Sequence, residues 1–327
     1  MGTPNLLLLL LLLSAPRVGA HGCHRTHSDK GDHSQLTRTE LACGRPHPTG
    51  LLRNVGGEDA GADEWPWQGS LQRRGTHVCG ASLVAPQWVL TAAHCFQASR
   101  DPSAYSVLLG VRELSGPPGP GQAVPLRRVL PHSAYAGEAT SGDIALAQLA
   151  WPVAFSDAIL PVCLPGAELR FPPGTRCVAT GWGDIREGED LPSPRRLQKL
   201  EVPIMAQDTC RRLYGIDMGR SLPPRRIQDD MMCAGYAEGL KDTCKGDSGG
   251  PLVCRAGSRW VLAGIVSWGE GCAVPNRPGV YTRVSSYARW IRQRADGVAF
   301  VPTNGRARAR PAAIAIVLLA GGISMAF

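Results

Sequence analysis

The chain reads as an all-β protein built from short strands. Its 327 residues include 39 glycines and 27 prolines, the strongest local breakers of regular structure. Apolar runs are short and bounded by turn residues, as from Trp260 to Val266, and no long stretch repeats its apolar positions with the 3.6-residue period of a helix. The main helical exception is Ser285 to Arg294, where Tyr287, Trp290 and Ile291 fall on one face behind a serine-rich start.

The N-terminal element is a leader. Leu6 to Leu13 is an unbroken apolar run, and Val18-Gly19-Ala20 supplies a small-residue cleavage site before His21. A spanning helix needs about 20 apolar residues, so residues 1–20 are read as a removed secretory signal, although no Lys or Arg precedes the run. The 11 cysteines agree, since thiols persist as disulfides only in an oxidising compartment. Residues 21–53 form a polar prosegment. It carries His21, His24, His27, His33 and Cys23, a spacing that matches no standard zinc ligand set, and it is read as a solvated segment.

Chemistry is concentrated in three separated segments. Thr91-Ala92-Ala93-His94-Cys95 offers a base, Ser141-Gly142-Asp143-Ile144 an acid, and Gly246-Asp247-Ser248-Gly249-Gly250-Pro251 a nucleophile. A serine hydroxyl is a poor nucleophile until an imidazole takes its proton and a carboxylate holds that imidazole in the right tautomer. The serine segment alone also fits the nucleophile elbow of the α/β-hydrolases. There the histidine follows the serine, whereas the last histidine here is His132, so that reading is excluded.

The order His94, Asp143, Ser248, with Trp65-Pro66-Trp67-Gln68, Thr180-Gly181-Trp182-Gly183 and Ser267-Trp268-Gly269 before Gly279-Val280-Tyr281, resembles the trypsin-like serine proteases of the chymotrypsin family over about residues 54 to 294. The layout of leader, cysteine-tethered prosegment and apolar tail is similar to the membrane-anchored tryptase-like and prostasin-like members. The resemblance implies two packed six-stranded antiparallel β-barrels with a short C-terminal helix. His94 and Asp143 would lie in the first barrel and Ser248 in the second, joined through Trp151 to Pro173.

The same resemblance implies the site. Ser248 attacks, His94 acts as base and then acid, Asp143 orients the imidazole, and the backbone N–H groups of Gly246 and Ser248 receive the oxyanion. Asp242 would sit at the bottom of the primary pocket and favour Arg or Lys before the scissile bond, with Gly269 and Gly279 leaving room for a long side chain. Ser267, Trp268 and Gly269 would offer an antiparallel edge to the substrate, and Lys245 a weak attraction for acidic groups. Implied disulfides are Cys43 with Cys163, Cys79 with Cys95, Cys177 with Cys254, Cys210 with Cys233, and Cys244 with Cys272; counting alone leaves the pairing open. Cys23 is left over, either for intermolecular pairing or without consequence.

Arg53 precedes Asn54-Val55-Gly56-Gly57, where the family is cut to convert zymogen to enzyme. The new α-amino group of Asn54 would pair with Asp247 and order Gly246 and Ser248, while the Cys43–Cys163 bridge keeps the prosegment as a light chain. The family starts its mature domain with an aliphatic residue. Burying the Asn54 amide without partners costs about 1–3 kcal/mol, so weaker ordering is expected. A poorly active binding module on the protease fold is the alternative that this residue favours.

The protease domain is expected over 54–297, a polar spacer over 298–311 and an apolar tail over 312–327. Arg306, Arg308 and Arg310 precede the tail and no polar residues follow it, which suits a removed signal for a glycolipid (GPI) anchor better than a membrane span. Asn304-Gly305 and Asp296-Gly297 are both attachment candidates. A net charge of +8 can signal an anionic partner such as a sulfated glycan, yet the Arg pairs at 127–128, 195–196, 211–212 and 225–226 are read as solvated surface. The expected partners are protein substrates, an activating trypsin-like protease, protein inhibitors and the membrane, at the outer cell surface or in secretions, with no nucleic acid. The loop Val111 to Pro125 carries a single carboxylate, Glu113, where calcium wants about six to eight oxygens; no metal and no cofactor are expected.

Overall fold

Two-residue hairpins and strands with one buried face set the architecture. The computed structural model describes residues 42–46, 58–115, 121–239, 243 and 245–302, all within the unit Ser34–Phe327. After the short β1 (Glu58–Asp59) come β2 (Gln68–Arg73) and β3 (Thr76–Ala85), joined by Arg74-Gly75 with φ of 52° and 80°. Both values lie in the left-handed region that a tight hairpin matching the strand twist requires. β4 (Trp88–Thr91), β5 (Tyr105–Leu109), β6 (Gln122–Pro131) and β7 (Ala145–Leu149) complete a closed barrel in the order β2-β3-β4-β7-β6-β5. Its interior is filled by Leu71, Leu83, Leu90, Val107, Leu109 and Leu146, all fully buried, each contributing about 1.5–3 kcal/mol relative to exposure.

The connection from Trp151 to Pro173 carries β8 (Leu164–Pro165) and leads to the second lobe. There β9 (Arg176–Gly181), β10 (Gln198–Pro203), β11 (Met231–Ala234), β12 (Pro251–Ala256), β13 (Arg259–Trp268) and β14 (Gly279–Arg283) join β1 in one sheet, ordered β1-β10-β9-β12-β13-β14-β11. β1 adds only two residues, so six longer strands carry the sheet. One antiparallel bridge, Ile204 to Ala234, links the end of β10 to β11 and curls the sheet toward closure. The fold is thus the expected all-β pair, a closed six-stranded barrel beside a curled one. The last strand, β15 (Phe300–Val301), runs parallel to β8.

Two helical details differ from the sequence-based expectation. The segment after β14 is a 3₁₀ turn, Val284–Tyr287, followed by a short α-helix at Ala288–Arg292, with Tyr287 and Ile291 buried and Trp290 packed edge-on to His132. An additional helix, α1 (Gln207–Tyr214), precedes it, and the C-terminal one is α2. Only Cys210 and Tyr214 of α1 are buried. Two buried positions among eight residues are too few to register as a period. Among the described residues no helix is long and apolar enough to cross a membrane.

Candidate active site

Strand ends of the first barrel deliver His94 and Asp143. After β4 the chain turns through Ala93–Phe96, pinned to β3 by the Cys79–Cys95 disulfide and by the Thr91 hydroxyl donating to the Gly80 carbonyl at 2.8 Å. Asp143 stands just before β7 and is 5% exposed. Its Oδ1 accepts the His94 backbone N–H at 3.0 Å; its Oδ2 lies 2.8 Å from His94 Nδ1 and accepts the Ser267 hydroxyl at 2.5 Å. Thr282 Oγ1 donates to the Asp143 carbonyl at 2.7 Å. A buried carboxylate needs such partners. Because an ionised carboxylate can only accept, Nδ1 must carry the hydrogen, which leaves His94 Nε2 with a free lone pair.

The second lobe supplies Ser248 on a loop, brought to the first barrel through Gly80. The Gly80 N–H donates to the Ser248 carbonyl at 2.8 Å, and a Cβ at Gly80 would lie 2.6 Å from Gly250 Cα, a contact only glycine permits. The loop's peptides are oriented by bonds on their far sides. The Asp184 N–H donates to the Lys245 carbonyl at 2.7 Å, and Gly250 N–H to the Asp247 carbonyl at 2.8 Å. In a trans peptide the N–H points opposite to the C=O, so the N–H groups of Gly246 and Ser248 are turned away from these donors. Neither finds an acceptor among the described residues. Preorganised, unpaired N–H groups are what the stabilisation of an oxyanion requires.

Two further groups hold this loop. Asp247 Oδ1 accepts the Gly183 N–H at 2.9 Å, and a Cβ at Gly181 would fall 1.9 Å from the same oxygen, which explains why the Thr180-Gly181-Trp182-Gly183 segment needs its glycines. His77 Nε2 lies 3.1 Å from the Gly246 carbonyl and Nδ1 lies 2.8 Å from Ser70 Oγ. A carbonyl only accepts, so Nε2 carries the proton and Nδ1 accepts from the serine. Burial first, and the nearby Arg195 charge, pull the His77 pKa below its usual value despite the opposing bond to Gly246, consistent with a neutral ring.

A cleft of about 390 Å³ joins these parts; His94, Asp143, Ser248, Thr243, Ser267, Trp268, Gly269 and Gly279 all line it. β13 outruns its pairing with β12, which ends at Ile265, so Ser267, Trp268 and Gly269 continue along the cleft with one edge open. The Ser267 side chain is taken up by Asp143. Tyr135 also lines the cleft; burial first, then the Asp143 and Glu138 charges, push its phenol up to about 12. Glu138, Glu187 and Lys245 also line the cleft.

Behind the recognition strand lies a cluster that sequence reasoning missed. Arg277 is 1% exposed. Its Nε donates to Glu270 Oε2 at 2.7 Å, while its terminal nitrogens donate to the carbonyls of Leu213, Ile216, Leu222 and Asn276. Arg225 holds the other Glu270 oxygen at 2.8 Å. Glu270 directly follows Gly269, so the cluster anchors the chain just beyond the end of β13. A lone Arg seven residues from a Glu in a loop gave no signal of burial.

Cys43 is bonded to Cys163, Cys79 to Cys95, Cys177 to Cys254 and Cys210 to Cys233. Cys272 is also in a disulfide; Cys244, Asp242, Arg53 and Asn54 lie outside the described residues. Among the described residues, one group brings possible metal ligands together, Cys79, Cys95 and His94. Its sulfurs are joined to each other and offer no thiolate.

A family model described as Trypsin matches residues 54–291. The chain belongs to the trypsin family. As a trypsin-family chain it has the fold of a serine endopeptidase, with protein substrates. The matched span begins at the residue after Arg53 and takes in every element of both lobes up to Ile291.

Proposed function

We propose that the chain is a secreted or surface-tethered serine endopeptidase, made as a zymogen and cutting proteins after Arg or Lys through His94, Asp143 and Ser248. The observation that carries this reading is the buried Asp143 carboxylate. It holds the His94 ring through Nδ1 at 2.8 Å, with Nε2 free to act in the cleft that Ser248 also lines. Ser248 Oγ adds to the substrate carbonyl carbon as its proton passes to His94 Nε2, and Asp143 stabilises the imidazolium. The N–H groups of Gly246 and Ser248 receive the oxyanion. On collapse His94 gives its proton to the leaving amine, and water then hydrolyses the acyl-enzyme by the same route in reverse.

Asp242 supplies the preference for a basic residue, its carboxylate gaining a charge-assisted hydrogen bond from the substrate guanidinium or ammonium. Cleavage after Arg53 frees the Asn54 α-amino group for Asp247, whose carboxylate already holds Gly183. The Cys43–Cys163 bond retains residues 21–53 as a light chain. Asp242, Arg53 and Asn54 enter by family resemblance. The tail over 312–327 is proposed as a glycolipid-anchor signal, which places the enzyme on the outer cell surface; release by a phosphatidylinositol-specific phospholipase tests it.

The deciding experiment is hydrolysis of a small Arg-terminated peptide amide before and after cleavage at Arg53, with Ser248→Ala beside it and a Lys- and a Phe-terminated amide for comparison. Activity should appear only after cleavage, favour Arg and Lys over Phe, and vanish in the variant. Non-reducing gels should keep the two pieces together and reducing gels part them. Silence after verified cleavage overturns the reading in favour of a binding module.

A further inference from the structure

Asp230, 87 residues from Asp143 in the chain, makes bonds that reach the turn before Asp143. Asp230 lies in the second lobe, just before β11. Its Oδ1 accepts the Ser141 hydroxyl at 2.8 Å, its Oδ2 accepts the Gly142 N–H at 3.0 Å, and the Tyr287 hydroxyl donates to the same Oδ2. Its own carbonyl accepts the Arg283 N–H at 2.7 Å from the end of β14. The carboxylate is thus a junction of three donors, two of them on the residues immediately before Asp143.

The segment it grips has little freedom of its own kind. Gly142 has φ +86°, and a Cβ there would lie 2.8 Å from the Tyr135 nitrogen. That turn is available only to glycine, whose unfolded chain has the most conformations to lose; something external must select it. On the far side of Asp143, Thr282 holds the Asp143 carbonyl, and the Ile144 N–H closes onto the Gly142 carbonyl at 2.7 Å. Both external grips, Asp230 before Asp143 and Thr282 at it, come from the second lobe, although Asp143 belongs to the first.

We propose that Asp230, clamped by Tyr287, is a positioning residue for the reaction: it locks the Ser141-Gly142 turn and so aims the Asp143 carboxylate at His94 from across the two lobes. The proposal rests on the protease reading given above. Burial alone would raise the Asp230 pKa; the bonds from Tyr287, Ser141 and Gly142 outweigh it and hold the carboxyl below its ordinary value, so it accepts all three at neutral pH. Asparagine in this place keeps the geometry: its oxygen can accept from Gly142 and Tyr287, and its amide can donate to the Ser141 oxygen. Alanine keeps none of the three bonds.

The test uses the full chain cleaved at Arg53, with Asp230→Ala, Asp230→Asn and Tyr287→Phe. It reads kcat and KM on an Arg amide, the melting temperature, and the far-downfield proton resonance of His94 Nδ1–H, which needs the Asp143 bond but no turnover. Asp230→Ala should lower kcat about 10- to 100-fold, the scale of a small misplacement of a catalytic group, with KM changed less than about threefold, and should lose the resonance to solvent exchange. Asp230→Asn should recover at least about tenfold of that kcat and the resonance, with Tyr287→Phe between. A folded Asp230→Ala that keeps both kcat and the resonance overturns the clamp, as does an Asp230→Asn no better than alanine. Should the wild-type cleaved chain hydrolyse nothing, the protease reading fails, while the resonance in alanine against asparagine still decides the clamp.

Discussion

The two halves of the active site are built by opposite means. His94 and Asp143 sit at the ends of β4 and β7 in a closed barrel, with Asp143 buried and satisfied by four hydrogen bonds. Ser248 and the cleft wall around Gly269 ride on loops of the second lobe, tethered at single points by Asp184, Gly183, His77 and Arg277. Strand ends inherit the stiffness of the sheet, whereas a loop keeps its shape only through the bonds made to it. The acid–base half is therefore fixed by buried strand ends together with bonds from Asp230, Ser267 and Thr282 of the second lobe. The nucleophile half depends on separate bonds made to its loop and can be shifted by one added or lost tether.

This contrast can be broken in graded steps. The largest effect should follow Asp143→Asn, which offers His94 Nδ1 a donor in place of an acceptor and selects the wrong tautomer; kcat should fall about 10⁴-fold with the fold intact, as in the Ser-His-Asp template. A melting curve and a single-turnover assay on the cleaved chain check it. Next, Arg277→Ala leaves Glu270 buried against fewer partners. Breaking a buried pair costs about 3–5 kcal/mol, to be seen in urea unfolding, and KM should rise more than kcat falls because the substrate edge is loosened. A variant as stable as wild type would show that the loop holds itself.

A smaller effect tests one tether of the loop, the bond between Gly183 and Asp247. Gly181→Ala drives a methyl into Asp247 Oδ1 and should disorder the Gly246–Ser248 segment, lowering kcat by about 10²- to 10³-fold, the worth of one oxyanion donor. The His94 Nδ1 proton resonance should be unchanged, since nothing in the first barrel has moved; its loss would mean the two halves are not independent. The smallest effect is one of pH. His77 has a folded-state pKa below the unfolded value of about 6.5, so the unfolded chain binds more protons and stability falls as pH drops from that value toward the folded pKa. His132 is lowered too, by burial first and then by Arg294, and adds the same sign in the same window. Denaturant midpoints from pH 7.5 to 5 should decline in wild type and decline less in His77→Gln.

Much of this site was legible before any fold was known, and the reason is local chemistry. The glycines around Ser248 and the cysteine beside His94 each reflect a short-range requirement: a positive φ and a pinned 3₁₀ turn. The Trp182 segment was visible as a motif but not as a cradle, because the carboxylate that forbids a Cβ at Gly181 comes from Asp247, 66 residues on. Ser267 was legible as backbone edge while its hydroxyl, spent on Asp143, was not. Asp230, His77, Glu270 and Arg277 carried no signal, since a polar residue in a loop reads as solvated until its neighbours are known. Helix α1 escaped for the same reason, with only Cys210 and Tyr214 facing inward.

The sequence by itself determined the all-β class and offered the candidate residue types of the site in their order along the chain, because strand length, turn residues and side-chain chemistry are read from a few neighbouring positions. Only the tertiary structure decided which carboxylate fixes His94 Nδ1, which peptides turn their N–H groups free beside Ser248, and which buried charges brace the cleft. Those outcomes depend on burial and on donors brought within 3 Å from other strands, and no local pattern records which distant residue will supply them.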